Sequence, residues 1–183
     1  MDELVDILDA SGNPTGRTCL KSEAHFKGLF HSTVHVWFYT DKEQLLFQQR
    51  SKDKDTFPSL WDVSVAGHIG AGEEITLAAV REVEEEIGLS VKPPSLEKIG
   101  IFKSVHQHSS ILKDCEFHHT YICELKTSID GLILQESEVD NLKLVSIKDF
   151  KERVAQNRMD GFVPHKKSYY LEVLDAISKK LKT

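Results

Sequence analysis

The chain has 183 residues and a formal net charge of −6, with 40% hydrophobic and 28% charged residues. This composition is typical of a soluble globular protein, and the length fits one domain with a sizeable core. An acidic balance without a long basic stretch argues against a nucleic-acid polymer or an anionic membrane as the partner.

Three cysteines, Cys19, Cys115 and Cys123, are spread along the chain without a CxxC pair. An odd and sparse set favours a reducing compartment over a disulfide framework. The acidic start, MDELVDILDASG, lacks the apolar centre of a secretory signal. The longest apolar runs are far shorter than the roughly 18 residues that a membrane span needs. We therefore expect a cytoplasmic protein.

Apolar, β-branched and aromatic runs predict strands in the first third of the chain. The predicted strands cover residues 4–8, 31–40, 45–49 and 61–66. Residues 9–16 are turn-rich and suggest a hairpin, and a short helix is expected over residues 21–25. Residues 51–55 form a charged loop.

One central helix is predicted to begin at Thr76, an N-cap residue type, and to stop at Gly88. After it, further strands are expected at residues 99–105, 117–125 and 142–145. A polar loop holding His106, His108 and Asp114 would join the first two of these strands. Helices are predicted at residues 146–156 and 165–181, with a break at residues 161–164.

Strands early in the chain, one central helix and helices at the end indicate an α+β fold. The expected architecture is an α/β/α sandwich in which a mixed β-sheet lies between helices. No linker suggests a second unit, so residues 1–183 are predicted to form a single domain.

The stretch 67–89, GHIGAGEEITLAAVREVEEEIGL, combines a glycine loop with an acidic helix. Residues three and four apart share a helix face, so Glu82, Glu85 and Glu86 are expected to point the same way. Three carboxylates on one face repel one another, and a hard divalent cation with oxygen ligands would relieve that repulsion. Arg81 stands four residues before Glu85 and can orient or partly neutralise it.

An acidic run can also be an ordinary solvated helix face, but here the spacing decides against that reading. Gly67 is followed by five residues and Glu73, then by seven residues and Arg81-Glu82, then by Glu85-Glu86, Gly88 and Leu89. This pattern resembles the signature of the Nudix (MutT-like) hydrolases at every defined position.

The resemblance implies a hydrolase that uses Mg²⁺ or Mn²⁺ to cleave the diphosphate linkage of a nucleoside diphosphate derivative or a related small diphosphate. It assigns catalytic roles to Arg81 and the three glutamates Glu82, Glu85 and Glu86, which would also bind the metal. Either Glu82 or Glu86 would act as the base. Glu116 is a further metal ligand or base candidate outside the stretch 67–89, with Asp114 and Glu124 as alternatives. Family members are often dimers, so a homodimer is one expected state.

A closer resemblance extends over most of the chain, to the branch that includes the isopentenyl-diphosphate isomerases. It rests on the run QRSKDKDTFPSLW, on the Gly-His pair at residues 67–68 and on FVP at residues 162–164. It implies substrate contacts from Arg50, Gly67, His68 and Gly70. It also suggests a second metal site formed by His25, His31, His68 and Glu116.

The essential isomerase cysteine, which precedes the Gly-His pair, is replaced here by Ala66. Alanine cannot serve as an acid or base, so the residues favour hydrolysis over isomerisation. An isomerase-like activity and a non-catalytic nucleotide-binding module remain the alternatives, and the substrate stays undecided.

Overall fold

The computed structural model describes residues 2–182, in which nine strands form one sheet and four α-helices flank it. The strands are β1 (Leu4–Leu8), β2 (Pro14–Leu20), β3 (Phe30–Tyr39), β4 (Gln44–Arg50), β5 (Trp61–Asp62), β6 (Val65–His68), β7 (Glu97–Gln107), β8 (Lys113–Glu124) and β9 (Val139–Ser146). The helices are α1 (Lys21–Lys27), α2 (Ile75–Ile87), α3 (Ile147–Ala155) and α4 (Lys167–Lys180).

The β3 strand is the centre of the sheet, as its β-branched and aromatic sequence predicts. It pairs antiparallel with β1, β4 and β6 and parallel with β8. The sheet is therefore mixed, as predicted.

Alternate residues of β3 are buried on opposite faces of the sheet. Val34 and Val36 pack with Val83 of α2 in one apolar cluster. Trp37 packs with Phe150 of α3 and with residues of α4 in the other. Burial of each such side chain contributes roughly 1.5–3 kcal/mol. The predicted α/β/α sandwich is confirmed.

The start of α2 differs from the prediction at Thr76. The N-cap is Glu74, whose carboxylate accepts hydrogen bonds from the backbone N–H groups of Thr76 (3.0 Å) and Leu77 (2.9 Å). Thr76 already lies inside the first turn. The predicted stop is confirmed, since Gly88 caps α2 at φ 64°, in the left-handed region that favours glycine.

The predicted strand over residues 61–66 is divided into two short strands, because its two halves pair with different strands. β5 pairs with β4, whereas β6 pairs with β3. Ser64 stabilises the crossing, since its hydroxyl donates to the Leu46 carbonyl oxygen (2.6 Å) and accepts from the Phe38 N–H (2.8 Å).

The predicted polar loop around His106, His108 and Asp114 is largely strand. β7 and β8 form a long antiparallel hairpin in which His106 is paired with Asp114. One face of β7 is solvent-exposed, so its polar residues fit an edge strand that resembles a loop in sequence.

No helix within residues 2–182 has the length and apolar character needed to span a membrane.

Candidate active site

A cavity of about 720 Å³ opens where β6, α2 and β8 approach one another. Most of the described residues that line it are charged or polar. The apolar lining residues are Phe57, Ala66, Gly67 and Val163. The cavity is therefore built for a polar, charged ligand.

Arg81 organises the carboxylates at the rim of this cavity. Its guanidinium donates to both carboxylate oxygens of Glu73, at 2.9 and 2.8 Å. One nitrogen, Nη1, also donates to Glu82 (2.8 Å) and Glu85 (3.0 Å). The hydrogen bonds with Glu73 are the main reason that the pKa of Arg81 lies above its usual value. Arg81 thus orients two of the predicted metal ligands, as its spacing from Glu85 suggests.

Glu82 lies against the backbone of β6, with 8% of the residue exposed. A Cβ added at Gly67 would be 2.0 Å from the Glu82 carboxyl carbon, so a side chain at this position would displace that carboxyl group. Burial raises the pKa of Glu82 to about 7, despite the opposing effect of Arg81.

Glu86 is 3% exposed and is held by two donors. Its Oε2 accepts hydrogen bonds from Nε2 of Gln48 (3.1 Å) and the Ala66 N–H (3.2 Å). Burial and then the neighbouring Glu82 raise the pKa of Glu86 well above its usual value. Two buried carboxyl groups that ionise with difficulty are a donor set that suits a hard divalent cation.

Glu85 also lines the cavity, but half of its side chain is exposed. The three glutamates therefore border one cavity, with Glu82 and Glu86 inside and Glu85 at the rim.

Glu116 lies in a second group of donors, with His25, His31 and His68. One donor atom from each of these residues lies within 4.8 Å of every other. The Nε2 atom of His25 is 3.3 Å from the Nε2 atoms of both His31 and His68. Nitrogens held about 2.1 Å from one ion at tetrahedral angles would be roughly 3.4 Å apart, so the spacing fits a metal ion.

The electrostatics of this second group also fit a cation. Burial lowers the pKa of His68 well below its usual value and that of His25 to a smaller extent, which favours the neutral rings that ligate metals. Burial also opposes the charged form of His31, but Glu116 raises the pKa of that ring above its usual value. Burial alone would raise the pKa of Glu116, but the His31 ring, 3.6 Å from its Oε1, and the neighbouring His118 hold it well below its usual range.

The predicted substrate-binding residues separate into two sets. Gly67, His68 and Arg50 line the cavity. Gly70 does not, and its N–H donates to the Glu73 carboxylate at 2.9 Å. Gly70 thus shapes the loop that presents Glu73 to Arg81.

Four residues deep in the cavity were not singled out by sequence: His35, Asp62, His118 and His165. The Asp62 carboxylate accepts from Nε2 of His165 (2.8 Å) and from Nη1 of Arg50 (3.2 Å). His35 and His118 lie on the buried strands β3 and β8, and the local sequence of neither strand indicates that the two rings meet.

Comparison with known proteins decides the family. The sequence pattern of the NUDIX domain matches residues 29–166. The chain belongs to the NUDIX domain family. A Nudix hydrolase of Clostridium acetobutylicum is 38% identical over 205 aligned positions, which cover 96% of this chain and 97% of the relative. The predicted Nudix-type pyrophosphohydrolase is thereby confirmed.

Two further similarities support the predicted branch and fold of this Nudix chain. An isopentenyl-diphosphate isomerase of Serratia proteamaculans is 32% identical over 122 positions, which cover 67% of this chain and 66% of the isomerase. The crystal structure of a MutT protein from Methanosarcina mazei superposes with a TM-score of 0.61 at 18% identity. That superposition covers 82% of this chain and 96% of the other, and it supports the Nudix fold.

Proposed function

We propose that this Nudix protein uses Mg²⁺ or Mn²⁺ to hydrolyse the diphosphate linkage of a nucleoside diphosphate derivative or a related small diphosphate. The observation that carries the proposal is the burial of Glu82 and Glu86 in a polar cavity that Arg81 borders. Ionising both carboxyl groups there would destabilise the fold unless a cation in addition to Arg81 offsets their charge.

Glu82, Glu85 and Glu86 are the proposed ligands of the catalytic cation, and Glu116 is the proposed ligand within the histidine group. A divalent ion held by the three helix glutamates would offset the negative charge of the diphosphate and lower the pKa of a coordinated water. Glu82 or Glu86 would accept a proton from the attacking water, since both line the cavity.

Arg50 is the proposed contact for the diphosphate oxygens. Its guanidinium is fixed in the cavity wall by Asp62 (3.2 Å) and by the Thr56 side-chain oxygen (3.1 Å). A guanidinium offers five donors, so this anchoring leaves N–H groups for phosphate oxygens. Lys54 also lines the cavity, where its ammonium is paired with Glu138.

Isomerisation is not supported by the lining of the cavity. Ala66 stands where the isomerases have their cysteine, and its N–H donates to Glu86. We expect no deuterium incorporation from heavy water into isopentenyl diphosphate. The non-catalytic module is disfavoured because all three helix glutamates are present. The homodimer stays a prediction.

The proposal is tested with Glu86→Gln, which keeps the shape of the side chain and removes its charge. We expect phosphate release from a panel of diphosphates in Mg²⁺ to fall by at least about 100-fold. Glu84→Gln is the matched control, because Glu84 lies on the same helix but is exposed. Equal turnover by the two variants, or full turnover by wild type after chelation, would contradict the proposal.

A further inference from the structure

Deep in the cavity, three histidines from β3, β8 and the start of the C-terminal segment form a group that we call the inner histidine cluster: His35, His118 and His165. The His35 and His118 rings stack with centroids 4.0 Å apart. The His165 ring lies 5.3 Å from His35 and 6.0 Å from His118. All three line the cavity, and none belongs to the groups described above as metal ligands.

The cluster adjoins both ends of the proposed diphosphate site. Glu116 Oε2 is 3.6 Å from Nδ1 of His118. On the other side, Asp62 connects His165 to Arg50 through its two carboxylate oxygens. A diphosphate that contacts Arg50 would therefore place an attached group within reach of these rings.

His118 carries the clearest sign of a missing ligand. The residue is 4% exposed, and its Nδ1 is 2.7 Å from the Thr33 hydroxyl. Its other nitrogen, Nε2, is buried without any hydrogen-bond partner. A buried nitrogen of this kind costs free energy unless a bound group satisfies it.

The hydrogen-bonding character of the cluster points to a neutral polar group. His165 Nε2 donates to the Asp62 carboxylate, which leaves the His165 Nδ1 to bond a ligand. The His118 Nε2 is the second ring nitrogen of the cluster that a ligand can satisfy. Hydroxyl groups both donate and accept, so they match imidazole nitrogens better than a hydrocarbon does.

We propose that the inner histidine cluster binds the hydroxyl groups of a sugar or polyol attached to the diphosphate. His118 and His165 would then be specificity-determining residues that select against alkyl chains. This inference rests on the proposed function and names its substrate class.

The test compares pentyl diphosphate with a pentitol diphosphate, which share a carbon count and a charge. Wild type is expected to give at least about a tenfold higher kcat/KM for the pentitol compound. His118→Leu and His165→Phe should each lower that ratio by about fivefold to tenfold, mainly through the pentitol compound. The readout is the ratio of the two kcat/KM values. Because His118 also lies near Glu116, replacing it can lower the kcat/KM of both compounds equally, and such a change leaves the ratio unaffected.

His119→Leu is the matched control. His119 follows His118 on β8 but lies on the opposite side of the strand, where it contacts Ser32 and Lys98. Its loss should leave the ratio unchanged. Thermal melting of each variant establishes that it is folded, and the ring of His165→Phe retains most of the original volume.

Binding of methylene-bridged analogues of both compounds, measured by calorimetry, separates this inference from the proposed function. If no diphosphate of the panel is hydrolysed, the proposed function fails, and tighter binding of the pentitol analogue still supports the cluster. Equal kcat/KM and equal affinity for both compounds in wild type would overturn the inference. An unchanged ratio in His118→Leu and His165→Phe would do the same.

Discussion

Single residues in this cavity are placed for binding at the expense of stability. Glu82 and Glu86 are buried carboxyl groups whose pKa values lie above the usual range, the first at about 7. Each therefore favours the protonated form in the metal-free protein. The carboxylate form, which a cation needs, opposes folding until the cation binds.

Glu86→Gln is expected to stabilise the metal-free protein at pH 8 by about 2 kcal/mol, because an amide requires neither a buried charge nor the uptake of a proton. The folded-state pKa values lie above the ordinary value of 4.5, so the folded state binds extra protons from there to about pH 7. The free energy of unfolding of wild type should fall as pH rises across that window. Urea titrations with a chelator at pH 5 and pH 8 measure both effects. A variant less stable than wild type at pH 8 would show that burial is not the dominant influence.

Gly67→Ala is expected to fold but to lose most activity, by about 100-fold or more. The new Cβ would occupy the position of the Glu82 carboxyl group and displace it from Arg81. Gly131→Ala is the control, since a Cβ there meets nothing within 4 Å. The kcat values of both variants are measured in Mg²⁺. Similar values would show that the position of the Glu82 carboxyl group does not depend on the absence of a side chain at residue 67.

At the level of elements, α2 presents apolar and acidic faces to different surroundings. Val83 and Ile87 pack on the sheet, while Glu82 and Glu86 border the cavity. The orientation of α2 on the sheet thus determines how far the Glu82 and Glu86 carboxyl groups extend into the cavity. Its first turn is fixed by the Glu74 cap, so the cap supports the geometry of the site from a distance.

Glu74→Ala is expected to lower the thermal midpoint by about 3 °C, because two backbone N–H groups lose their acceptor. Thr76→Ala should have a smaller effect, since the Thr76 side chain provides no cap. Differential scanning calorimetry of the two variants distinguishes the observed cap from the one predicted by sequence. A lower thermal midpoint for Thr76→Ala than for Glu74→Ala would indicate that Thr76 is the N-cap.

At the scale of the whole molecule, Asp62 ties the C-terminal segment to the sheet. It accepts from His165 and Arg50, while Trp61 exchanges backbone hydrogen bonds with Gly161 and Val163, both at 2.9 Å. Burial alone would raise the pKa of Asp62, but its bonds with His165 and Arg50 hold it well below the usual range. The Asp62 carboxylate thereby connects the segment before α4 to Arg50 in the cavity.

Asp62→Asn is expected to cost about 2–3 kcal/mol near pH 7, because a buried ion pair loses its charge. The folded-state pKa lies below the ordinary 3.8, so this stabilisation is present above that pH and is lost as pH falls further. The difference between variant and wild type should therefore shrink below about pH 4. Urea titrations across the acid range test this, and a difference that stays constant to pH 2 would exclude the charge as its source.

The sequence was sufficient for features that depend on local periodicity. The α2 helix, its glycine stop and the shared cavity of its glutamates follow from residues three and four apart. The apolar β3 strand was placed to within one residue at each end. Edge strands such as β2 and the outer part of β7 were missed or shortened, because they face solvent and lack an apolar pattern.

The inner histidine cluster could not be predicted from local pattern. Its members, His35, His118 and His165, are brought together by the pairing of β3 with β8 and by the segment before α4. Nothing in the spacing of these residues encodes their proximity. The Glu116 group was suggested only by family resemblance, for the same reason.

The parallel pairing of β3 with β8 has a consequence for how the enzyme is made. Thr33 and His118, which lie 85 positions apart, meet across this pairing, and His31 is in register with Glu116. The cavity is therefore complete only after β8 has left the ribosome and paired with β3. A slip of one residue would turn Glu116 and His118 away from the cavity, so a misregistered chain would lack both side chains there even if compact.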